Sequence, residues 1–253
     1  MLALNDVNYF RKVALSLLFI FIIGAIIFYF LNTLDFISYT YMMVYFFSFS
    51  LGGFFGMHTL FSKKTPYNTL WRGILLLSLA MFLLSLSAQD FSLLQVGNIS
   101  SSLNTQITLA LMIISGSLLI LGSIDTLSIY AFRFTYKIII EIGITFFAIY
   151  MLMKSLLPDL FSYQQYYFYA NIFLLTLIYL IFRISHSKSC SGIYILNTGL
   201  FFMFIGNSII AFKTNNVSHF IGDSGDFFII LSGLTISMAI YEIGKTFTQK
   251  PLQ

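Results

Sequence analysis

A chain of 253 residues that is 58% hydrophobic and only 9% charged, with mean hydropathy +0.91, lies far from soluble globular composition, in which about 25% of residues are charged. A water-soluble core is excluded, and so is a sizeable catalytic domain outside the bilayer: at roughly 20 apolar residues per crossing, eight crossings use about 160 residues and leave only short connections. The net charge of +4 comes from dispersed lysines and arginines rather than basic runs, so it speaks for orientation in a membrane and not for a nucleic-acid partner.

The first apolar run, 13–31, follows Arg11 and Lys12 as a signal peptide would. It exceeds the roughly 7–15 residues of an h-region and no A-x-A site follows, which predicts a retained signal-anchor helix. Seven further runs, 37–61, 70–89, 107–132, 137–157, 166–184, 192–212 and 227–246, complete an all-α polytopic bundle of eight transmembrane helices. Span two carries Gly52-x-x-x-Gly56 with Gly53 beside it, residues that let helix backbones approach closely, and ends near His58. Span three opens at Trp71-Arg72 and closes at Gln89-Asp90; span four carries Ser115-Gly116 and Asp125. Glu141 follows Lys137 by one turn in span five, and Asn171, Asn197 and Asn207 add uncharged polar groups to spans six and seven. The last outer loop brings His219, Asp223 and Asp226, and span eight holds Ser232-Gly233 and then Glu242, three residues before Lys245.

Taking alternate connections, one side collects Arg11, Lys12, Lys63, Lys64, Arg72, Arg133, Lys137, Arg183, Lys188, Lys245 and Lys250; the other has only Lys154 and Lys213. Basic residues favour the cytoplasmic face. Both termini are therefore predicted in the cytoplasm, with 247–253 as a short tail, in a membrane expected to be a bacterial inner membrane. The opposite side carries Asp35, Asp90, Asp159, Asp223 and Asp226, with Tyr163, Tyr166, Tyr167 and Tyr169 placed for an outer aromatic belt.

Two registers suggest an internal duplication. Asp35-Phe36-Ile37-Ser38-Tyr39 is answered 124 residues later by Asp159-Leu160-Phe161-Ser162-Tyr163. Ser115-Gly116 with Asp125 is answered 117 residues later by Ser232-Gly233 with Glu242, and Asp90 pairs with Asn207 in the same register. The change of register falls at the long inner loop 63–71, where an indel belongs. The chain 1–253 then reads as a single membrane domain of two four-helix units, 11–133 and 134–246. Four spans per unit keep the units in the same orientation, related by an axis along the membrane normal.

Ionisable groups in a span are costly and are functional candidates by default. His58, Asp125, Glu141 and Glu242 all fall towards the inner side and form a candidate inner polar cluster, with Asp125 and Glu242 as repeat mates. Its functional version is a proton or cation half-site. The structural version is a set of ion pairs with Arg72, Arg133, Lys137 or Lys245 that fixes helix packing. A candidate outer polar cluster comprises Gln89, Asp90, Asn207, His219, Asp223 and Asp226, for which acidic outer loops without a ligand are the plainer reading. Asn98-Ile99-Ser100 and Asn216-Val217-Ser218 match glycosylation sequons.

No H-E-x-x-H, G-x-S-x-G or Walker loop occurs. Three histidines set apart and one cysteine, Cys190, offer no zinc or haem ligand set and no intramolecular disulfide. No catalytic residue, cofactor or metal is expected.

The Asp that opens an even span (Asp35, Asp159), the basic inner loops, Asp90 or Asn207 closing the third helix of each unit, and the aromatic entry Asp226-Phe227-Phe228 form a pattern. It resembles the multi-helix membrane sensor regions of bacterial diguanylate cyclases, phosphodiesterases and histidine kinases. The resemblance implies a sensing role without an output domain of its own, since the chain reaches Gln253 soon after the last span. The expectation is a non-enzymatic membrane protein that senses or scaffolds through helix contacts with a membrane protein partner or by self-association. The alternative is a small-solute or ion transporter with Asp125 and Glu242 as coupling carboxylates.

Overall fold

The computed structural model describes residues 36–62, 68–96, 101–128, 136–156, 165–185, 191–216 and 224–249. All seven segments are helical: α1 (Phe36–Ser62), α2 (Asn68–Val96), α3 (Ser101–Ser128), α4 (Tyr136–Leu156), α5 (Gln165–Ser185), α6 (Ser191–Asn216) and α7 (Ser224–Gln249). They correspond to spans two to eight. Span one and its signal-anchor reading lie outside the described residues.

Lipid offers backbone groups no hydrogen-bond partner, so an apolar chain satisfies them within helices. Met43–Phe61 in α1, Ala110–Leu127 in α3, Ser191–Ile210 in α6 and Ser224–Lys245 in α7 are long and apolar enough to cross a membrane, and α2, α4 and α5 hold shorter apolar stretches. The protein is an integral membrane protein whose described residues are all helical.

Local sequence accounts for the boundaries. Four helices begin on Asn68, Ser101, Ser191 or Ser224, residue types that favour helix starts. The described helices contain no proline, a residue that cannot continue one. Asp226 lies in the first turn of α7, and Lys154 and Arg183 in the last turns of α4 and α5, each matching the sign of the helix dipole. α2 runs past the expected end of its span to Val96. Asp90 ends the apolar run but does not break a helix. Gln89 and Asp90 therefore sit within α2 rather than at its end.

The helices pack in the order α3, α2, α1, α7, α6, α5, α4, each against the next, and a slight touch between α3 and α5 closes six of them into a ring with α4 outside it. The first and last described helices, α1 and α7, are thus central neighbours. Their seam is parallel: Cβ atoms added to Gly52, Gly56, Gly233 and Gly244 would meet Ser237, Ile240, Ser48 and Thr59 respectively. Ser237 Oγ donates across it to the Ser48 carbonyl at 2.8 Å. Gly52 and Gly56 are buried, so the small-residue motif of span two serves close packing, against α2 as well as α7.

The antiparallel pair α6 and α7 is built on a seven-residue repeat. Gly192, Gly199 and Gly206 on α6 face Ile243, Ile236 and Ile229 on α7. An added Cβ on Gly199 would lie 3.0 Å from the Ile236 backbone nitrogen, so α7 occupies the space that a side chain would need. In α2 and α3 the same device appears once, where Gly73 meets Thr126 and Gly122 meets Leu77. One apolar core runs through all six ring helices, including Phe49, Leu77, Met81, Leu119, Ile181, Leu196 and Ile236. Hydroxyls within it are satisfied locally: Ser78, Ser123, Thr126 and Thr176 each donate to the carbonyl four residues earlier.

α4 is different. Among the described residues its helix neighbour is α5, and its apolar contact is a separate small cluster in which Phe146, Ile149 and Tyr150 cover Ile172. No described side chain of α4 is buried.

Candidate functional site

One end of the bundle gathers the described ion pairs of Asp125, Glu141 and Glu242. Here Gly73 and Gly122 bring α2 and α3 together, and that approach puts Arg72 beside Asp125. The Arg72 guanidinium donates from Nε to Asp125 Oδ2 at 2.5 Å and from Nη2 to Oδ1 at 2.7 Å. Such a two-bond fork is the strongest carboxylate pairing that a side chain makes. The Asp125 side chain is 14% exposed and that of Arg72 61%, so the arginine reaches in from the rim. Arg72 is one of the partners that the sequence offers Asp125.

Glu141 on α4 is held by α5. Tyr179 Oη donates to Glu141 Oε1 at 2.8 Å, and Arg183 Nη1 pairs with Oε2. The sequence offered the inner interface or Lys137, one turn away on the same helix. The cross-helix pair prevails because Tyr179 and Arg183, four apart on one face of α5, offer two donors at once. Glu242 and Lys245 lie 4.0 Å apart on α7, the local pairing that the three-residue spacing predicts. His58 is half-buried on α1. Asp125, Glu141 and Glu242 thus occupy three helices and each faces a different base. Among the described residues no group of three or more His, Cys, Asp or Glu side chains is placed to hold a metal ion.

At the opposite end Asn207 is half-buried on α6, next to Ser208, whose Oγ accepts from Asn171 Nδ2 on α5 at 3.2 Å. Asp226 is half-buried in the first turn of α7. The side chains of Gln89 and Asp90, and all of His219 and Asp223, lie outside the described residues.

Sequence reasoning missed Arg183 and Tyr179 as partners of Glu141 and missed the Asn171–Ser208 bridge. The i, i+4 spacing of Tyr179 and Arg183 was a visible signal; the 38-residue separation from Glu141 left no local clue to their target. Among the described residues four buried polar atoms, Ser50 Oγ, Asn171 Oδ1, Asn197 Oδ1 and Ser232 Oγ, have no hydrogen-bond partner. No family model, curated protein or solved structure matches the chain.

Proposed function

We propose that this chain is an eight-crossing membrane protein of two similar four-helix units, 11–133 and 134–246, with both termini cytoplasmic, that senses or scaffolds through helix contacts with a membrane protein partner. The observation that carries the reading is α4. Ile140, Ile144, Phe147 and Met151 are 56%, 64%, 62% and 51% exposed and recur at four- and three-residue steps, the spacing of a helix-pairing seam. Gly143 and Ala148 flank them and are exposed too, so a second helix can approach closely. The paired state of Asp125, Glu141 and Glu242 favours a structural use of these carboxylates. Two units are supported by the likeness of the tight antiparallel pairs α2/α3 and α6/α7, which are repeat mates in the 117 register.

A photo-reactive residue at Ile144 or Phe147, in the full chain in native membranes, tests the reading. Protein adducts at both positions, absent when the probe stands at Leu121 of α3, are expected. Labelling of lipid alone at α4 overturns it.

The unpartnered atoms of Ser50, Asn171, Asn197 and Ser232 favour a second reading, transport of a small solute or ion along a polar path. In that case Asp125→Asn and Glu242→Gln abolish flux in liposomes. Flux that persists in both variants excludes them as coupling carboxylates.

A further inference from the structure

The ring contains two junctions between its units, and they are unequal. α1 packs extensively along α7, whereas α5 only touches α3. The repeat registers make these junctions equivalent: α1 corresponds to α5 in the 124 register, and α7 to α3 in the 117 register.

At the tight junction Phe49 of α1 is fully buried and seated on Gly233 of α7, where an added Cβ would come within 2.9 Å of its ring and 2.6 Å of Ser48 Oγ. The counterpart of Phe49 is Phe173, and each follows a tyrosine by four residues, Tyr45 and Tyr169. The counterpart of Gly233 is Gly116. Phe173 is 49% exposed, and among the described residues an added Cβ on Gly116 would meet nothing within 4 Å. Ser115 and Ser232, the residues before the two glycines, are both fully buried, so the two helices are rotated alike about their axes. The ring of Phe173 leans instead on Phe146 of α4, with centroids 5.2 Å apart.

We infer that the α3/α5 junction is an open form of the α1/α7 junction and closes when Phe173 leaves Phe146 and seats on Gly116. The occupant of the open glycine surface is therefore α5 of the same chain. Glycine is what the socket needs, since a side chain there would fill the space that the ring takes. Closure draws α5 away from α4, so whatever stabilises α4 in its present place holds the junction open. The choice of residues rests on the two-unit reading and not on the identity of any partner.

The test uses the full chain in lipid vesicles, with Cys190→Ser and spin labels on Ser117→Cys in α3 and Phe182→Cys in α5. A reference pair, Phe54→Cys and Met238→Cys, spans the tight α1/α7 junction. The expected result is a shorter-distance component for the α3/α5 pair that falls roughly tenfold on Gly116→Leu, which fills the socket, and also on Phe173→Ala, which removes the ring. The reference distance stays single and unchanged. An α3/α5 distance indifferent to both substitutions means that the Gly116 face meets lipid and overturns the inference. The result is read separately from the α4 cross-linking, so either proposal can fail alone.

Discussion

Gly199 and Gly143 are the same residue in the same kind of helix, yet their surroundings give them opposite meanings. A methyl group at Gly199 would sit 2.6 Å from Ile236 Cγ1 and 3.0 Å from its backbone nitrogen, and at Gly143 it would meet nothing among the described residues within 4 Å. Overpacking against backbone cannot be relieved by a rotamer change, so Gly199→Ala is expected to destabilise the protein by about 1–3 kcal/mol. Gly143→Ala is expected to be neutral or to stabilise by up to about 1 kcal/mol through helix propensity. Thermal unfolding in one detergent checks both, and equal effects would refute the packing assignment of the α6/α7 repeat. Arg72 and Asp125 show what was legible at this scale. Arg72 stood out at the opening of a span and Asp125 as an acid within one, and their pairing was among the few available. The pairing of Glu141 across to α5 was not read, because sequence distance favours Lys137 or the interface, whereas side-chain geometry favours the two donors of α5.

Among the elements, α4 and α7 mark the two extremes. α7 packs along α1 and α6, with Ile236, Ala239, Ile240 and Ile243 fully buried. α4 has the small cluster on Ile172 and the Glu141 clamp. Local stability follows the density of buried contacts, which predicts that amide hydrogens of α4 exchange faster than those of α6 and α7 in detergent. Glu141→Ala is expected to speed exchange in α4 without altering α7; uniform protection across the three helices would contradict this. The existence of the helices was readable because a run of about 19 apolar residues has one solution in lipid. Which face each helix buries was not, since a helix apolar all round carries little periodic signal. The glycines at 192, 199 and 206 and the isoleucines at 229, 236 and 243 were the exception. Their seven-residue steps lie in plain view in the sequence, and they mark the face on which α6 and α7 meet.

At the scale of the whole molecule, the proposed orientation rests on eleven of the thirteen lysines and arginines falling on one side of the predicted spans. With Cys190→Ser, a cysteine at Lys250 is expected to react with a membrane-impermeant maleimide only after the cells are opened, and one at Asp159 in intact cells; the reverse pattern would invert the proposed topology. Lys154, one of the two exceptions, stands in the last turn of α4, where a positive charge meets the negative end of the helix dipole, and reaches over the Tyr150 ring at 5.9 Å. The order of helices around the ring was not readable from hydropathy, which carries no information about neighbours. The parallel seam of α1 and α7 has a consequence for biogenesis. Its hydrogen bond joins residues 189 apart, a stretch that takes a ribosome roughly 10–40 s to synthesise at 5–20 residues per second. Throughout that interval Gly52 and Gly56 of α1 stand in the bilayer without their final neighbour. The centre of the molecule is the last part to be assembled, and a nascent chain stopped short of Ser237 presents an unfinished helix face to the machinery that inspects new membrane proteins.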